Sequence, residues 1–199
     1  MEQVRAFIAI ELPSRLKLEL GKLQTQLKIE RQTWVKWVDP NSIHLTLQFL
    51  GNIDISSTGQ ITKEIEGAAC GISPFFLEVK DLGVFPNLRR VQVVWVGLSG
   101  EIDKIVQLQQ HLESNLEHLG FIPEKRRFTP HLTLARLRDQ AKPEERQKFG
   151  QLIASTGFKS DSFKVDTISL MRSQLTSQGA VYSQLNAVQL IDLPVVNSQ

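Results

Sequence analysis

The sequence has little cysteine and no long apolar run. Cys70 is the single cysteine among 199 residues, which excludes an intramolecular disulfide and thiolate-rich metal sites. We expect Cys70 itself to be buried as a small apolar side chain. Near the N-terminus the apolar run ending at Ile10 is too short for a signal-peptide core, and no run is long enough to span a membrane. These absences predict a cytoplasmic protein without a membrane segment.

The chain also lacks a linker rich in proline, glycine or serine, and it has no low-complexity segment. With 41% hydrophobic residues, it can bury a core as one domain or as two small lobes packed together. The 23 basic and 21 acidic side chains leave a net charge of +2. A small anionic ligand would therefore have to be attracted by local basic clusters rather than by the whole surface.

Apolar periodicity predicts strands and helices that alternate along the chain. We expect strands over residues 4–12, 42–51, 75–85, 91–98, 131–137, 161–175 and 180–191. Helices are expected from Pro13-Ser14 through the leucines up to residue 27, and over residues 56–70, 101–120 and 143–153. The strand at 91–98 is expected to be central, and the last two strands to form a hairpin across residues 177–179. This order favours an α+β fold with mixed or antiparallel sheets.

The tetrapeptide HLTL occurs twice, beginning at His44 and at His131. Because side chains alternate across a strand, each histidine shares a face with the threonine two residues later, Thr46 or Thr133, about 7 Å away. The leucines of each copy point to the other face, toward a core. A match of four residues is too short to prove duplication, but it suggests two similar halves.

Two imidazoles and two hydroxyls would meet in one cleft if the halves pack face to face. No carboxylate lies at ligand spacing, which argues against a catalytic zinc held by three protein ligands, and no nucleophile elbow is present. Two imidazoles on opposite sides of a phosphorus atom suit in-line displacement by a general acid and a general base. Hydroxyls can donate to the non-bridging oxygens. The pattern indicates phosphoester chemistry without a metal or another cofactor.

Other polar and aromatic residues admit a structural interpretation. One His-x-Thr on a strand is usually a half-exposed polar face, and only its duplication favours a function. His111 and His118 lie seven residues apart on the long predicted helix, where we expect a solvated face. Trp34 and Trp37 could stack on bases, although packing at the seam between the lobes is the expected role.

Two basic clusters flank predicted strands. Lys125, Arg126 and Arg127 precede the second HLTL copy, and Arg89 and Arg90 precede the predicted central strand. They could attract the phosphates of an RNA end. The alternative, which we favour for each residue taken alone, is a loop charge on a solvated surface.

The segments around the motifs resemble a known family. The two His-x-Thr-hydrophobic motifs are similar to the signature of the 2H phosphoesterase superfamily. RAFIAIELP, WVDPNSIHLTLQFLG, FTPHLTLAR and SLMRSQLTSQGAVY together resemble bacterial and archaeal RNA 2′,3′-cyclic phosphodiesterases, also called 2′-5′ RNA ligases. The resemblance extends from Arg5 to about Leu193.

This resemblance implies a bilobal α+β fold over residues 1–199, a single domain with a pseudo-two-fold arrangement. Each lobe would contribute an antiparallel or mixed sheet, flanking helices and one motif to a central cleft. Family members open a terminal 2′,3′-cyclic phosphate to a 2′-phosphate without a metal, and 2′-5′ ligation belongs to the same phosphoryl chemistry. The implied partners are RNA 3′ ends or 2′,3′-cyclic nucleotides. We expect a monomer that does not associate with a membrane.

The resemblance also assigns roles to the repeated residues. His44 and His131 would be the catalytic pair, with His44 as the acid and His131 as the base by analogy with the superfamily, although the sequence alone supports either order. Thr46 and Thr133 would hold the phosphate oxygens. The alternative function is a module that binds an RNA end or a nucleotide without turnover, which the intact motifs disfavour.

In the family, the residues five positions after the two histidines, an aromatic residue in one motif and an arginine in the other, sandwich the terminal base. Here these are Phe49 and Arg136. Strict alternation places both on the face opposite the histidines, so each strand must end, twist or bulge before that point. Without such an irregularity, Phe49 would be a core residue.

Overall fold

The computed structural model describes residues 2–28, 32–124, 126–176 and 179–191. The strands are β1 (Gln3–Glu11), β2 (Val35–Trp37), β3 (His44–Asp54), β4 (Phe75–Phe85), β5 (Val93–Gly100), β6 (His131–Leu137), β7 (Phe163–Val165), β8 (Thr167–Thr176) and β9 (Gly179–Gln189). The helices are α1 (Ser14–Leu27), α2 (Thr58–Ala69), α3 (Ile102–Glu117) and α4 (Pro143–Ser155). The predicted bounds of β4 and β6 are confirmed to the residue.

The strands form two antiparallel sheets, as expected for the predicted α+β class. A four-stranded sheet has the order β3-β1-β8-β9, and a five-stranded sheet has the order β2-β6-β5-β4-β7. Strand β5 lies in the middle of the five-stranded sheet, which confirms the prediction of a central strand there. One HLTL copy lies in each sheet, since β3 belongs to the first and β6 to the second.

The two sheets meet along the strands that carry the motifs. Strand β3 is an edge strand of the four-stranded sheet, and it contacts β6 of the other sheet. The backbone N–H of Val38 donates to the carbonyl of Leu134 at 2.9 Å. The side chain of Gln24, only 2% exposed, donates to both the Val38 carbonyl (2.7 Å) and the Leu134 carbonyl (3.0 Å). Helix α1 is thereby fixed to the seam between the sheets.

Alternation along β1 divides its apolar side chains between two clusters. Ile8 and Ile10 belong to the main core, together with the buried leucines of both motifs. Phe7 and Ala9 belong to a separate small cluster with Met171. Strand β1 is therefore buried on both faces.

The helices and tryptophans complete the main core. Helix α2 packs against α3 and β9, and α4 packs against β4. Trp34 and Trp37 both meet Phe149 of α4 edge to face, at 5.5 and 6.2 Å between ring centroids. The expectation that they pack against apolar side chains is confirmed, and the partner that these contacts show is Phe149 of α4.

Several boundaries differ from the predictions. Strand β3 continues past Gly51-Asn52 to Asp54, because Gly51 adopts a φ of 71° and keeps its pairing with Ala6. Strand β2 was not predicted, since three residues carry no detectable periodicity. The predicted strand over 161–175 is divided into β7 and β8, which lie in different sheets. Strands β8 and β9 pair as predicted, while residues 177 and 178 of the expected turn lie outside the described residues.

Two predictions about single side chains were wrong. Cys70 is exposed at the C-terminal end of α2, where the chain leaves the helix. His111 is half-buried, and its Nδ1 lies 3.1 Å from the carbonyl oxygen of Ala68, so it joins α3 to α2. His118 is exposed as expected, 3.5 Å from Glu64. Within the ranges described above, no helix combines the length and apolar character needed to cross a membrane.

We expect Gln24→Ala to destabilise the protein by about 1 to 3 kcal/mol, because it removes the buried side chain that donates to the Val38 and Leu134 carbonyls at the seam. Gln26→Ala is the matched control, since Gln26 is exposed on the same helix and its loss should change stability by less than about 0.5 kcal/mol. Chemical denaturation measures both values. Equal effects of the two substitutions would contradict a bridging role for Gln24.

Candidate active site

The two motif strands are built alike. Each histidine is the first residue of its strand, and the following six positions have the same burial order in β3 and β6. The first and third residues are half-buried, the second, fourth, fifth and seventh are buried, and the sixth is exposed. The resemblance between the two halves thus extends beyond the four identical letters to the local structure.

A β-bulge interrupts each strand directly after the threonine. In β3 the extra residue is Leu47, and in β6 it is Leu134. A bulge shifts the alternation by one position, so the residues after it change faces. Phe49 is consequently 62% exposed, and Arg136 is exposed as well. The expected irregularity is confirmed, and the core interpretation of Phe49 was wrong.

The imidazole rings are oriented by the same contact. Nδ1 of His44 lies 2.8 Å from the carbonyl oxygen of Ser42, and Nδ1 of His131 lies 2.7 Å from that of Thr129. A carbonyl accepts a hydrogen bond only from a protonated Nδ1, so the neutral ring leaves its lone pair on Nε2. Each ring can therefore accept a proton at Nε2 when neutral and donate one there when charged.

His44 is enclosed by aromatic rings. Phe7 stacks on it at 4.7 Å, and Tyr182 meets it edge to face at 5.0 Å. Phe7 also approaches Phe49 at 6.2 Å, which brings Phe49 to the same side of the sheet as His44. Burial lowers the pKa of His44 below its ordinary value, an effect to which the charge of Lys17 adds. The Ser42 carbonyl and the charge of Glu11 act in the opposite direction.

Glu11 is a neighbour of His44 that the sequence did not reveal. The two residues face each other across the β1–β3 pair. The Glu11 carboxylate accepts hydrogen bonds from Ser169 Oγ (2.9 Å) and Gln184 Nε2 (3.1 Å), and Gln184 also donates to Ser169. These partners come from β8 and β9, more than 150 positions away along the chain, so no local pattern could have indicated the network.

His131 has aromatic neighbours of its own. Phe85 meets it edge to face at 5.1 Å, and Trp95 lies 6.2 Å from it. Phe85 and Trp95 contact each other at 5.2 Å. A side chain at Gly83 would overlap the Trp95 indole, so this glycine allows the ring to lie against β4.

The threonines are available to a ligand. Thr46 and Thr133 are both half-buried. In the part of the chain that the structure describes, neither hydroxyl is used in an internal hydrogen bond. Across the same residues, no three or more His, Cys, Asp or Glu side chains gather in a way that could hold a metal ion.

The basic residues that could attract RNA phosphates lie on the surface, as expected for loop charges. Arg126 and Arg127 are exposed before β6, and Arg89 and Arg90 are exposed in the loop between β4 and β5. Lys125 lies outside the described residues.

Comparisons with known proteins agree with the motifs. A family model described as the 2′-5′ RNA ligase superfamily matches residues 13–176. The RNA 2′,3′-cyclic phosphodiesterase of Methanothermobacter thermautotrophicus is 33% identical over 189 residues, which cover 94% of this chain and 100% of the relative. The RNA 2′,3′-cyclic phosphodiesterase of Aquifex aeolicus is 32% identical over 194 residues, covering 92% and 95%.

A crystal structure of E. coli LigT complexed with 3′-AMP has the same fold, with a TM-score of 0.76 at 24% identity. The match covers 96% of this chain and 100% of that one.

We expect the pKa of His44 in the free protein to lie below the ordinary value of 6.5, because its burial disfavours the charged ring. Tyr182→Ala removes one enclosing ring and should raise this pKa toward 6.5. Val181→Ala is the matched control, since Val181 is the exposed neighbour of Tyr182 on β9 and should leave the pKa unchanged. Titration of the imidazole resonances by NMR measures all three values, and an unchanged pKa in Tyr182→Ala would contradict this explanation.

Proposed function

The chain belongs to the 2′-5′ RNA ligase superfamily, and we propose that it hydrolyses a terminal RNA 2′,3′-cyclic phosphate to a 2′-phosphate. The observation that carries the proposal is the pair of identically built His-x-Thr strands, each with a bulge, an oriented imidazole and an unused hydroxyl. The curated relatives named RNA 2′,3′-cyclic phosphodiesterase, which match nearly the whole chain, support it.

The proposed reaction is an in-line displacement at phosphorus. Neutral His131 accepts a proton from water at Nε2 as the water oxygen bonds to phosphorus. The bond from phosphorus to O3′ breaks, and protonated His44 donates its Nε2 proton to O3′. Thr46 and Thr133 donate hydrogen bonds to the non-bridging oxygens, where negative charge is concentrated. The product carries a 2′-phosphate and a free 3′-hydroxyl, and both histidines end in exchanged protonation states.

If His44 is the acid, its pKa in the substrate complex must be high enough for the ring to be protonated. Burial favours the neutral ring in the free protein, whereas an acid must begin protonated. A bound cyclic phosphate carries a negative charge, which favours the imidazolium and raises the pKa. The proposed mechanism therefore requires substrate binding to increase the fraction of His44 that is protonated.

The remaining features of the proposal concern substrate contacts and organisation. Phe49 and Arg136, both exposed after their bulges, would hold the terminal base between them. We propose that residues 1–199 act as one domain, with the two sheets as similar lobes on either side of a central cleft. The protein would act as a cytoplasmic monomer on RNA 3′ ends or 2′,3′-cyclic nucleotides. In 2′-5′ ligation a 5′-hydroxyl would replace water as the nucleophile, and the bond to O3′ would break as in hydrolysis.

Replacing either histidine by alanine should lower turnover of a 2′,3′-cyclic nucleotide by a factor of about 10² to 10⁴, the usual contribution of a positioned acid or base. His118→Ala is the control, because His118 is exposed just after the end of α3 and its loss should leave turnover unchanged. The assay contains excess chelator, and its product is identified as a 2′- or 3′-phosphate. Normal turnover in either single variant would overturn the two-histidine mechanism, and tight binding without turnover in the unaltered protein would favour a binding module.

An activated leaving group at O3′ should rescue the variant that lacks the acid, because such a group departs without a proton. We expect rescue of His44→Ala and none of His131→Ala. The comparison is the ratio of rates on the activated and the ordinary substrate for each variant. Rescue of His131→Ala instead would invert the two roles.

Phe49→Ala should weaken substrate binding by roughly 1 to 3 kcal/mol, the usual value of a lost stack between a base and an aromatic ring. Its folding should persist, since the ring is 62% exposed. Phe76→Ala is the matched control, because this phenylalanine of β4 is 52% exposed. Calorimetric titration with a 2′-nucleotide measures the affinities, and equal losses in both variants would contradict a stacking role for Phe49.

A further inference from the structure

A pocket of about 590 Å³ is lined by Trp95, a neighbour of His131, and by none of the residues assigned above to the cyclic phosphate or the terminal base. It lies between β4, β5 and the loop that joins them. Its lining residues are Gly83, Val84, Asn87, Leu88, Arg89 and Trp95. It is an open depression rather than an enclosed cavity, so a group bound there would stay partly exposed to solvent.

Trp95 connects this pocket to the candidate active site. Its indole lines the pocket and also lies 6.2 Å from the ring of His131. Gly83 on one side and Phe85 on another determine where the ring lies. A group bound against the indole would therefore be separated from His131 by this one side chain.

The loop that forms the rim has a defined conformation. The Asn87 side-chain oxygen accepts hydrogen bonds from the backbone N–H groups of Arg89 and Arg90, each at 3.1 Å. The backbone of Leu88 packs against α4 at Gly150, where a side chain would collide with the Leu88 carbonyl. Since the rim is already ordered, little conformational entropy opposes binding.

The chemistry of the pocket suits a nucleotide. The Trp95 indole and the Leu88 side chain offer an apolar surface, and Arg89 adds a positive charge at the rim. Within the described ranges, Arg89 forms no ion pair, so its charge is free to meet an anion. An aromatic ring beside an unpaired cation is the combination by which proteins hold single-stranded nucleic acid, the ring under a base and the cation near the backbone.

We propose that this pocket binds the base of the nucleotide that precedes the terminal one in an RNA 3′ end, with Arg89 beside the phosphate that joins the two. This inference rests on the proposed function, in which Phe49 and Arg136 hold the terminal base. It makes an oligonucleotide end, rather than a free cyclic mononucleotide, the preferred substrate.

The test compares a cyclic mononucleotide with a dinucleotide that ends in a 2′,3′-cyclic phosphate. Leu88→Asp places a carboxylate in the pocket and should lower kcat/KM for the dinucleotide by about 5- to 100-fold, as for a lost base stack. The same variant should leave kcat/KM for the mononucleotide unchanged. A dinucleotide whose first unit lacks its base should be used no better than the mononucleotide. Equal losses on both substrates would overturn the proposal.

Arg89 and Arg90 form a matched pair for the phosphate contact, because both are exposed and only Arg89 lines the pocket. Arg89→Gln should weaken use of the dinucleotide and reduce the slope of log(kcat/KM) against log(salt concentration) by about 0.7, as expected for one lost contact with a single strand. Arg90→Gln should change neither quantity. Identical behaviour of the two variants would overturn the role of Arg89.

A binding measurement separates this inference from the proposed function. A dinucleotide ending in a 2′-phosphate is not consumed, and it should quench tryptophan fluorescence more than the corresponding mononucleotide. The additional quenching should disappear in Trp95→Phe. Such quenching without any turnover would support the pocket and overturn the proposed hydrolysis, whereas turnover without additional quenching would overturn the pocket alone.

Discussion

A regular β-strand points alternate side chains to opposite faces. The two motif strands place side chains in positions that strict alternation does not allow. The leucines of HLTL must reach the core, the histidine and threonine must face the other way, and the residue five positions after the histidine must also be exposed. One extra residue directly after the threonine of each motif, Leu47 or Leu134, resolves the conflict. Both extra leucines remain buried, so the bulges cost no apolar burial. The exposed positions of Phe49 and Arg136 depend on these two irregularities.

The bulges also leave backbone groups that need hydrogen-bond partners from other parts of the fold. A bulge leaves backbone groups outside the regular ladder, and a buried carbonyl needs a donor. At Leu134 the donors are the Val38 N–H and the side chain of Gln24. These groups belong to the chain around β2 and to α1, at the seam where β3 contacts β6. The irregularity that shapes one half of the site is thus bonded to the segment that leads into the other half.

Sequence periodicity predicted the elements that have strong local patterns. Strands β4 and β6 were placed to the residue, and the antiparallel pairing of β8 with β9 was correct. The sequence did not reveal β2, because its three residues are a strand only through pairing with β6. The sequence also did not show where the bulge that exposes Phe49 would lie, because a bulge is defined by the register between two paired strands.

The same limit applied to the candidate site. The motifs identified His44, Thr46, His131 and Thr133, since those residues recur at a fixed local spacing. Glu11 joins Ser169 and Gln184 only through the order of strands in the sheet. His111 was expected on a solvated face because nothing local shows that the neighbouring helix offers the Ala68 carbonyl.

The likeness of the two motifs raises the question of how their histidines could take different roles. Both rings bond a carbonyl two residues earlier, so the hydrogen bond at Nδ1 does not distinguish them. The surrounding side chains do, since Phe7, Tyr182 and Glu11 surround His44 whereas Phe85 and Trp95 adjoin His131. Burial lowers the pKa of His44 in the free protein. A charge acts more strongly where water is excluded, so a bound phosphate anion raises the pKa of a buried imidazole more than that of an exposed one. The enclosure that lowers the pKa of His44 in the free protein thus makes this imidazole more responsive to a bound anion, as the proposed role of proton donor requires.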